Sequence, residues 1–168
     1  MSRLKTHATT TVLIGAALLT LSACAEPARF GPVHIGMPLG DFQSAFPGAE
    51  ELDATTDPSG NEVRTMQVAG TGDQEKAYYY VIRGHVIGAC VVLGKGVEYD
   101  QQIERISAQN GPADQREKTA DAETTQWRRK GALINLMKTG PTKTKLELPN
   151  GKQEVLGPRR VVVLMQNG

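Results

Sequence analysis

The fold is decided by residues 76–93, which read KAYYYVIRGHVIGACVVL. Two β-rich runs flank Arg83-Gly84-His85, and a glycine between two such runs is typical of a β-hairpin turn. The second run, from Val86 to Leu93, is apolar on both of its faces. That pattern indicates a central strand that a helix covers on at least one side. The stretch therefore predicts an antiparallel hairpin in the middle of a sheet.

Two amphipathic helices are predicted, one before and one after this hairpin in the chain. The first begins at about Pro38, because proline suits the first turn of a helix, and Pro47-Gly48 ends it. The second covers about residues 98–110 and ends at Gly111-Pro112. Each helix places its apolar residues on one stripe, so each is expected to pack one side against the sheet.

Further strands are predicted at residues 62–68, 124–129, 132–138 and 160–166, and another hairpin around Pro149-Asn150-Gly151. Residues 49–62 are acidic and rich in turn-forming residues, and we expect a surface loop there; a charged loop is expected up to Glu123. The resulting class is α+β: an antiparallel sheet with two helices packed on one face. The order indicates two related units of a helix and three strands, at about 33–94 and 95–168.

The N-terminal segment has the layout of a secretory signal. Arg3 and Lys5 precede a short apolar run over residues 12–23, and small residues then lead directly into Cys24. The run is shorter than the roughly 20 residues that a membrane-spanning helix needs. Removal of residues 1–23 would leave a protein of one-domain size with two cysteines, Cys24 at its N-terminus and Cys90. If Cys24 is acylated, Cys90 is the only free thiol, and no intramolecular disulfide is expected.

Leu21-Ser22-Ala23-Cys24 resembles the lipobox of a bacterial lipoprotein signal peptide. The resemblance implies that residues 1–23 are removed, that Cys24 carries the lipid anchor, and that 24–32 form a short tether to a periplasmic domain at 33–168. The alternative is an ordinary cleaved signal with a chance cysteine. Ala25 stands where an Asp usually retains such lipoproteins at the inner membrane, which implies the periplasmic face of the outer membrane, with the inner membrane left open.

The body of the chain is similar to the SmpA/OmlA-type small lipoproteins. Ile35-Gly36-Met37-Pro38, a helix, an acidic loop, an aromatic strand, Gly84 in a tight turn and an apolar strand carry the likeness, and Gly111-Pro112 fits it as well. Those lipoproteins share a fold with the β-lactamase-inhibitor protein, which is a tandem of two such units. The layout here is doubled, whereas the SmpA/OmlA lipoproteins have a single unit.

The sequence shows no catalytic or metal-binding constellation. His34 and His85 are far apart, with no cysteine or carboxylate at the spacing of a metal site. Cys90 lies among Ala89, Val91 and Val92, so we expect a buried thiol rather than a nucleophile. We therefore expect no enzymatic activity, no metal and no cofactor.

Three aromatic residues are candidates for partner binding. Tyr78 and Tyr80 share one face of a strand, which either packs in the core or anchors a partner. Trp127, beside Arg128 and Arg129, is either a core or an interface residue.

Charge is divided along the chain. Residues 24–104 contain five Lys or Arg and twelve Asp or Glu, a net of −7, whereas residues 105–168 contain twelve and six, a net of +6. The two halves are expected to attract each other when they dock. Alternatively, a basic face binds anionic lipid head groups or an acidic protein, and that face is built from Arg128, Arg129, Lys130, Arg159 and Arg160. Nucleic acid is not expected as a partner in the periplasm.

These patterns predict a lipid-anchored envelope protein that works without catalysis. It would act as a scaffold or assembly factor that presents a sheet face or edge to another envelope protein. The alternative is a periplasmic protein inhibitor that binds an enzyme through hairpin loops such as Arg83-Gly84-His85.

Overall fold

The computed structural model describes residues 27–120, 122–139, 144–147, 153–156 and 160–166. The predicted signal peptide, Cys24, the turn at Pro149-Asn150-Gly151 and Arg159 lie outside these residues. The described part is a mixed α and β fold. Its elements in chain order are β1 (Arg29–Phe30), β2 (Val33–His34), α1 (Leu39–Ala45), β3 (Glu50–Thr56), β4 (Glu62–Ala69), β5 (Gln74–Ile82), β6 (His85–Leu93), α2 (Tyr99–Asn110), β7 (Gln115–Lys118), β8 (Ala122–Arg129), β9 (Ala132–Thr139), β10 (Thr144–Glu147), β11 (Gln153–Leu156) and β12 (Arg160–Gln166).

Eight of these strands form one antiparallel sheet in the order β3-β4-β5-β6-β12-β9-β8-β7. β1 pairs with β2, and β10 with β11, as separate antiparallel pairs. In the large sheet β6 lies beside β12, with Cys90 opposite Val163, so the apolar strand is central as predicted. The β5–β6 turn is formed by Arg83 and Gly84, whose φ angles are 49° and 76°. Two consecutive positive φ angles are the requirement of a tight type I′ hairpin turn.

Both described helices pack on the same face of this sheet. Phe42 of α1 is fully buried, and its ring centroid lies 4.8 Å from that of Tyr79 on β5. Tyr99 of α2 donates a hydrogen bond to the carbonyl of Leu136 on β9, 3.0 Å away, and Ile106 of α2 is also fully buried. Phe42, Tyr79, Ile106 and Leu136 belong to one continuous apolar core. The two helices and their placement on one face are therefore confirmed.

The opposite face of the sheet carries a second apolar cluster. It contains residues from β4, β5, β6 and β12: Val63, Tyr78, Tyr80, Cys90, Val92 and Val161. Neither α1 nor α2 contributes a buried residue to this cluster. Cys90 is 3% exposed, which confirms the prediction that its thiol is buried.

Two predicted loops contain strands. The acidic segment expected as a loop at 49–62 forms β3, and the charged loop before Glu123 contains β7. Both are edge strands of the large sheet. An edge strand with solvent beside it needs no alternation of apolar residues, so its sequence resembles a loop. The loop predictions were therefore wrong for residues 50–56 and 115–118, whereas residues 57–61 form a turn as predicted.

The folded body also begins earlier than residue 33. Ala28 and Phe30, which were assigned to the tether, are 1% and 7% exposed and belong to the helix-side core. The amide of Ile35 donates to the carbonyl of Ala28 at 3.3 Å. No helix among the described residues is long and apolar enough to span a bilayer.

Candidate interaction surfaces

Tyr78 and Tyr80 point to the face of the sheet away from the helices, and both are buried. Their exposed fractions are 8% and 2%. β5 is paired on both sides, so each ring is flanked by residues of β4 and β6; Tyr80 lies opposite Thr65 and Gly88. At Gly88 a Cβ would make only ordinary contact with the Tyr80 ring, at 3.6 Å, but would come within 3.1 Å of the Leu164 carbonyl oxygen. Neither tyrosine is an exposed anchor, so the partner-binding role predicted for them is not supported in this structure.

Trp127 is a core residue. It has no exposed surface, and its indole N–H donates to Ser107 Oγ of α2 at 3.2 Å. This contact satisfies the one polar group of the buried ring, as burial of a tryptophan requires. Of the two predicted alternatives for Trp127, the core is correct and the interface is wrong.

Arg129 holds the C-terminal end of α2 in place. Its guanidinium donates to the carbonyls of Asn110 and Pro112, the latter at 2.7 Å, and forms an ion pair with Asp114 at 2.9 Å. The last carbonyls of a helix lack partners within the helix, so a cation beside them satisfies them and suits the helix dipole. The Arg128 backbone N–H and the Arg129 guanidinium lower the pKa of the Asp114 carboxyl. The Arg129 guanidinium is thus engaged within the fold, which does not support its predicted role in partner binding.

Arg128 and Lys130 are exposed on either side of Arg129. Arg29, also exposed, lies at the same place, since Asn110 Oδ1 accepts from the Arg29 N–H at 2.9 Å and Asn110 Nδ2 donates to the Arg29 carbonyl at 2.8 Å. Asn110 is therefore in contact with both Arg29 and Arg129. We name these four residues, Arg29, Arg128, Arg129 and Lys130, the basic corner. Sequence reasoning found three of them and missed Arg29, which is almost one hundred residues away in the chain.

Two ion pairs between the acidic and basic halves lie on the surface. Arg105 pairs with Asp73 at 3.2 Å, and Arg116 pairs with Asp100 at 2.9 Å. At least half of each of these four side chains is exposed to solvent. Exposed pairs of this kind contribute little, about 0–1 kcal/mol each. The two halves of the sheet meet instead along β6 and β12, through valine side chains of the two apolar clusters. These two surface pairs therefore add little to the association of the halves.

The tip of the β5–β6 hairpin is held rigidly. The Leu39 N–H donates to the Gly84 carbonyl at 2.8 Å, and Val86 exchanges backbone hydrogen bonds with Gly36 and Met37. Arg83 reaches sideways and donates to Asn61 Oδ1 at 2.8 Å. The hairpin tip and the neighbouring β3–β4 turn thus form one ordered surface rather than two independent loops.

That β3–β4 turn is organised by Asp57. Its carboxylate accepts from the backbone N–H groups of Ser59 and Asn61 at 2.9 and 2.8 Å, and from Asn61 Nδ2 at 3.0 Å. These hydrogen bonds, with the Asn61 side chain first, lower the pKa of Asp57. The carboxylate is used to order the turn, as in other Asx turns.

A cleft with a volume of about 420 Å³ lies between the β1–β2 turn, the end of α1 and the β4–β5 turn. Phe46 and Tyr79 line it, and Asp73 and Arg105 stand at its rim. Burial raises the pKa of Tyr79 to about 12, so its hydroxyl stays protonated at neutral pH. Among the described residues no group of three or more His, Cys, Asp or Glu is placed to hold a metal ion.

The two edges of the sheet differ in what they offer a partner. β7 has four residues, Gln115 to Lys118, all polar and all exposed. β3 has seven residues, and a bulge between Glu51 and Asp53 turns Leu52 outward, where it is 48% exposed. Both edges carry charged side chains, but β3 is the longer of the two and presents an apolar side chain that β7 lacks.

Comparison with known proteins gave no match: no family model matches the sequence, and neither a curated protein nor a solved structure is significantly similar to it. The resemblances to lipoprotein signals and to the SmpA/OmlA lipoproteins therefore remain predictions from the residues that carry them.

Proposed function

We propose that this chain is a lipid-anchored envelope protein that acts as a non-catalytic scaffold or assembly factor for another envelope protein. In this proposal the signal peptide is cleaved before Cys24, and the acylated cysteine holds the domain at the periplasmic face of the outer membrane. The observation that carries the scaffold role is the exposed edge strand β3. It is long enough to pair with a strand of a partner, and Leu52 offers an apolar contact beside the backbone groups.

Strand addition to β3 would work through two kinds of contact. The backbone of an edge strand offers N–H and C=O groups along its outer side, and an extended partner segment gains affinity from pairing with them. Side chains then decide which segment is accepted. Glu50 and Glu51 give this edge negative charge, although Glu51 is partly neutralised by its ion pair with Arg64. The proposed partner segment is therefore extended, with basic residues around an apolar one.

The sheet is further proposed to consist of two related units. Read outward from its centre, the order is β6-β5-β4-β3 on one side and β12-β9-β8-β7 on the other, so each half places its first strand at an edge and its last at the centre. A helix precedes each half in the chain. Met37 and Val97 stand just before the two helices and are equally buried, at 8% exposure each. In this arrangement the units have four sheet strands rather than the three that the sequence predicted.

Site-specific photo-crosslinking in cells tests the scaffold proposal. A photoreactive residue replaces Leu52 on β3 in one variant and Glu117 on β7 in a matched variant of the opposite edge. We expect Leu52 to form a discrete crosslink to an envelope protein that co-purifies with membranes in detergent, and Glu117 to form none. Absence of any discrete adduct from Leu52, or equal adducts from both edges, would contradict strand addition at β3.

A second candidate function is inhibition of an enzyme, because the hairpin tip is preorganised. Gly84 and Val86 are both fastened to the 36–39 segment by backbone hydrogen bonds, so little conformational entropy would be lost on insertion into a cleft. An inhibitor would form a stable stoichiometric complex with a soluble enzyme. A photoreactive residue at His85, which is exposed, would then crosslink to that enzyme while Leu52 would not.

A further inference from the structure

The folded domain begins very close to the proposed lipid anchor. Ala28 is 1% exposed, and its carbonyl accepts from the Ile35 N–H. Only Ala25, Glu26 and Pro27 separate it from Cys24. Four Cα–Cα steps of about 3.5 Å reach no more than about 14 Å. A lipid on Cys24 would therefore hold the neighbourhood of Ala28 within roughly that distance of the head groups.

The basic corner lies at this neighbourhood. Arg29 follows Ala28 directly, and Asn110 is hydrogen-bonded to both Arg29 and Arg129. The end of β8, which carries Arg128, and the following turn, which carries Lys130, are thereby fixed beside the start of the folded chain. Among the described residues, Asp114 is the carboxylate shown in contact with this corner, and it is already engaged by Arg129 and by the Arg128 N–H. The exposed charge of Arg29, Arg128 and Lys130 is consequently not offset by it.

We infer that the basic corner, through the exposed charges of Arg29, Arg128 and Lys130, binds the anionic head groups of the membrane that holds the anchor, and so sets which end of the sheet faces the bilayer. The inference rests on the proposed lipid anchor at Cys24. Electrostatic attraction acts over about 8–10 Å at physiological salt, which is comparable to the reach of the three-residue link. The link brings the corner close to the surface, and the charges then select one orientation among those the link allows.

The strand register identifies the two ends of the sheet, and the inference places one of them near the membrane. Arg129 is opposite Ala132, and Ala132 is opposite Gln166, so the β8–β9 turn and the end of β12 share one end of the sheet. Lys118 is opposite Glu123, so Ala120 in the β7–β8 turn lies at the other end. β8 has eight residues and spans about 25 Å, which separates the two ends.

The test measures how the full mature lipoprotein is oriented when it is bound to lipid vesicles. A fluorophore is attached to a cysteine at Gln166 (Q166C) or at Ala120 (A120C), both exposed, and a nitroxide on the lipid head group quenches it. Vesicles contain either phosphatidylcholine alone or about three parts phosphatidylcholine to one part phosphatidylglycerol. The buried Cys90 is expected to stay unlabelled, which labelling of the parent protein verifies.

On the anionic vesicles we expect the Q166C label to be quenched at least three-fold more strongly than the A120C label. Charge reversal at the corner, R128E with K130E, should reduce that ratio to its value on phosphatidylcholine alone. The matched control reverses the same number of charges at the far end, K118E with K138E, and should keep the ratio. At about 1 M salt, where screening acts within about 3 Å, the wild-type ratio should also collapse.

An unchanged ratio in the R128E and K130E variant overturns the inference, as does an equal loss in the far-end control. If the R128E and K130E variant loses a crosslink to a protein while its quenching ratio is unchanged, the corner binds a protein partner, and the inference is again overturned. Failure of the anchor is distinguished by mass spectrometry of Cys24. If no acyl group is found, sedimentation of the protein with the anionic vesicles still tests the corner. Binding that falls at least five-fold in the R128E and K130E variant supports the inference, and binding that does not fall overturns it.

Discussion

Replacement of Arg129 by alanine should destabilise the domain by about 2–3 kcal/mol. The guanidinium donates to the carbonyls of Asn110 and Pro112 and pairs with Asp114. Each hydrogen bond that involves a charged group contributes about 1.5–3 kcal/mol in a protected site. The side chain of Arg129 is 21% exposed, so in the alanine variant water can form hydrogen bonds with the freed carbonyls. We therefore count the stabilisation lost as that of little more than one such hydrogen bond.

Arg128 provides the matched control, because its side chain is exposed and its contact with Asp114 is made by the backbone N–H, which alanine retains. R128A should change stability by no more than about 0.5 kcal/mol. R129K should recover only part of the loss in R129A, because one ammonium group cannot reproduce the fork that reaches two carbonyls and a carboxylate. For a domain of this size R129A should lower the melting temperature by roughly 5–10 °C.

Chemical denaturation followed by circular dichroism measures these differences. Most of the loss in R129A should persist at about 1 M salt, since carbonyl hydrogen bonds are screened less than the exposed ion pair. Equal stabilities of R129A and R128A would refute the argument that Arg129 caps α2. A loss that disappears at high salt would show that the ion pair, rather than the cap, stabilises this end of the helix.

The pH dependence follows from the lowered pKa of Asp114. A carboxyl group whose pKa is lower in the folded state stabilises the fold above its unfolded pKa, near 4, and loses this contribution as the pH falls through the lower folded value. Arg129 is one of the groups that lower this pKa, after the Arg128 N–H. The stability difference between wild type and R129A should therefore narrow below a pH of about 4.

Three further results are expected. Cys24→Ala should release the protein from membranes or leave it as an unprocessed precursor, and a mature-length mutant that still sediments with the outer membrane would exclude the lipid as the anchor. Cys90 should resist thiol reagents in the native protein and react after denaturation, because it is 3% exposed; rapid native labelling would contradict its burial. Phe42→Ala should cost about 3–5 kcal/mol, measured by urea unfolding, because the ring is fully buried against Phe46 and Tyr79; a loss below about 1 kcal/mol would show that α1 contributes little to the core.

The centre of the sheet was predictable because its residues are constrained from both sides. The apolar run from Val86 to Leu93 and the glycine at position 84 allow few alternatives, and the hairpin lies where they indicated. The edges were not predictable in the same way. Residues of β3 and β7 face solvent on one side, so polar side chains are acceptable there and the sequence carries no strand periodicity.

The interaction surface could be predicted only in part. Period-two alternation places Tyr78 and Tyr80 on one face, but it does not say whether that face is covered, and both rings are buried. Sequence also groups Arg128, Arg129 and Lys130 without distinguishing them. The distinction depends on where α2 ends in space, because only Arg129 reaches the carbonyls of Asn110 and Pro112.

The contact between Gly84 and Leu39 also has a consequence for the order of folding. α1 has seven residues, and an isolated helix of that length does not persist in water. Its first amide, that of Leu39, has its hydrogen-bond acceptor in the β5–β6 turn, forty-five residues later in the chain. We therefore expect α1 to form only after the hairpin has closed, and to be among the first elements to open. In native-state hydrogen exchange, the α1 amides should exchange in a cooperative step of lower free energy than those of β6, while the central strands remain protected.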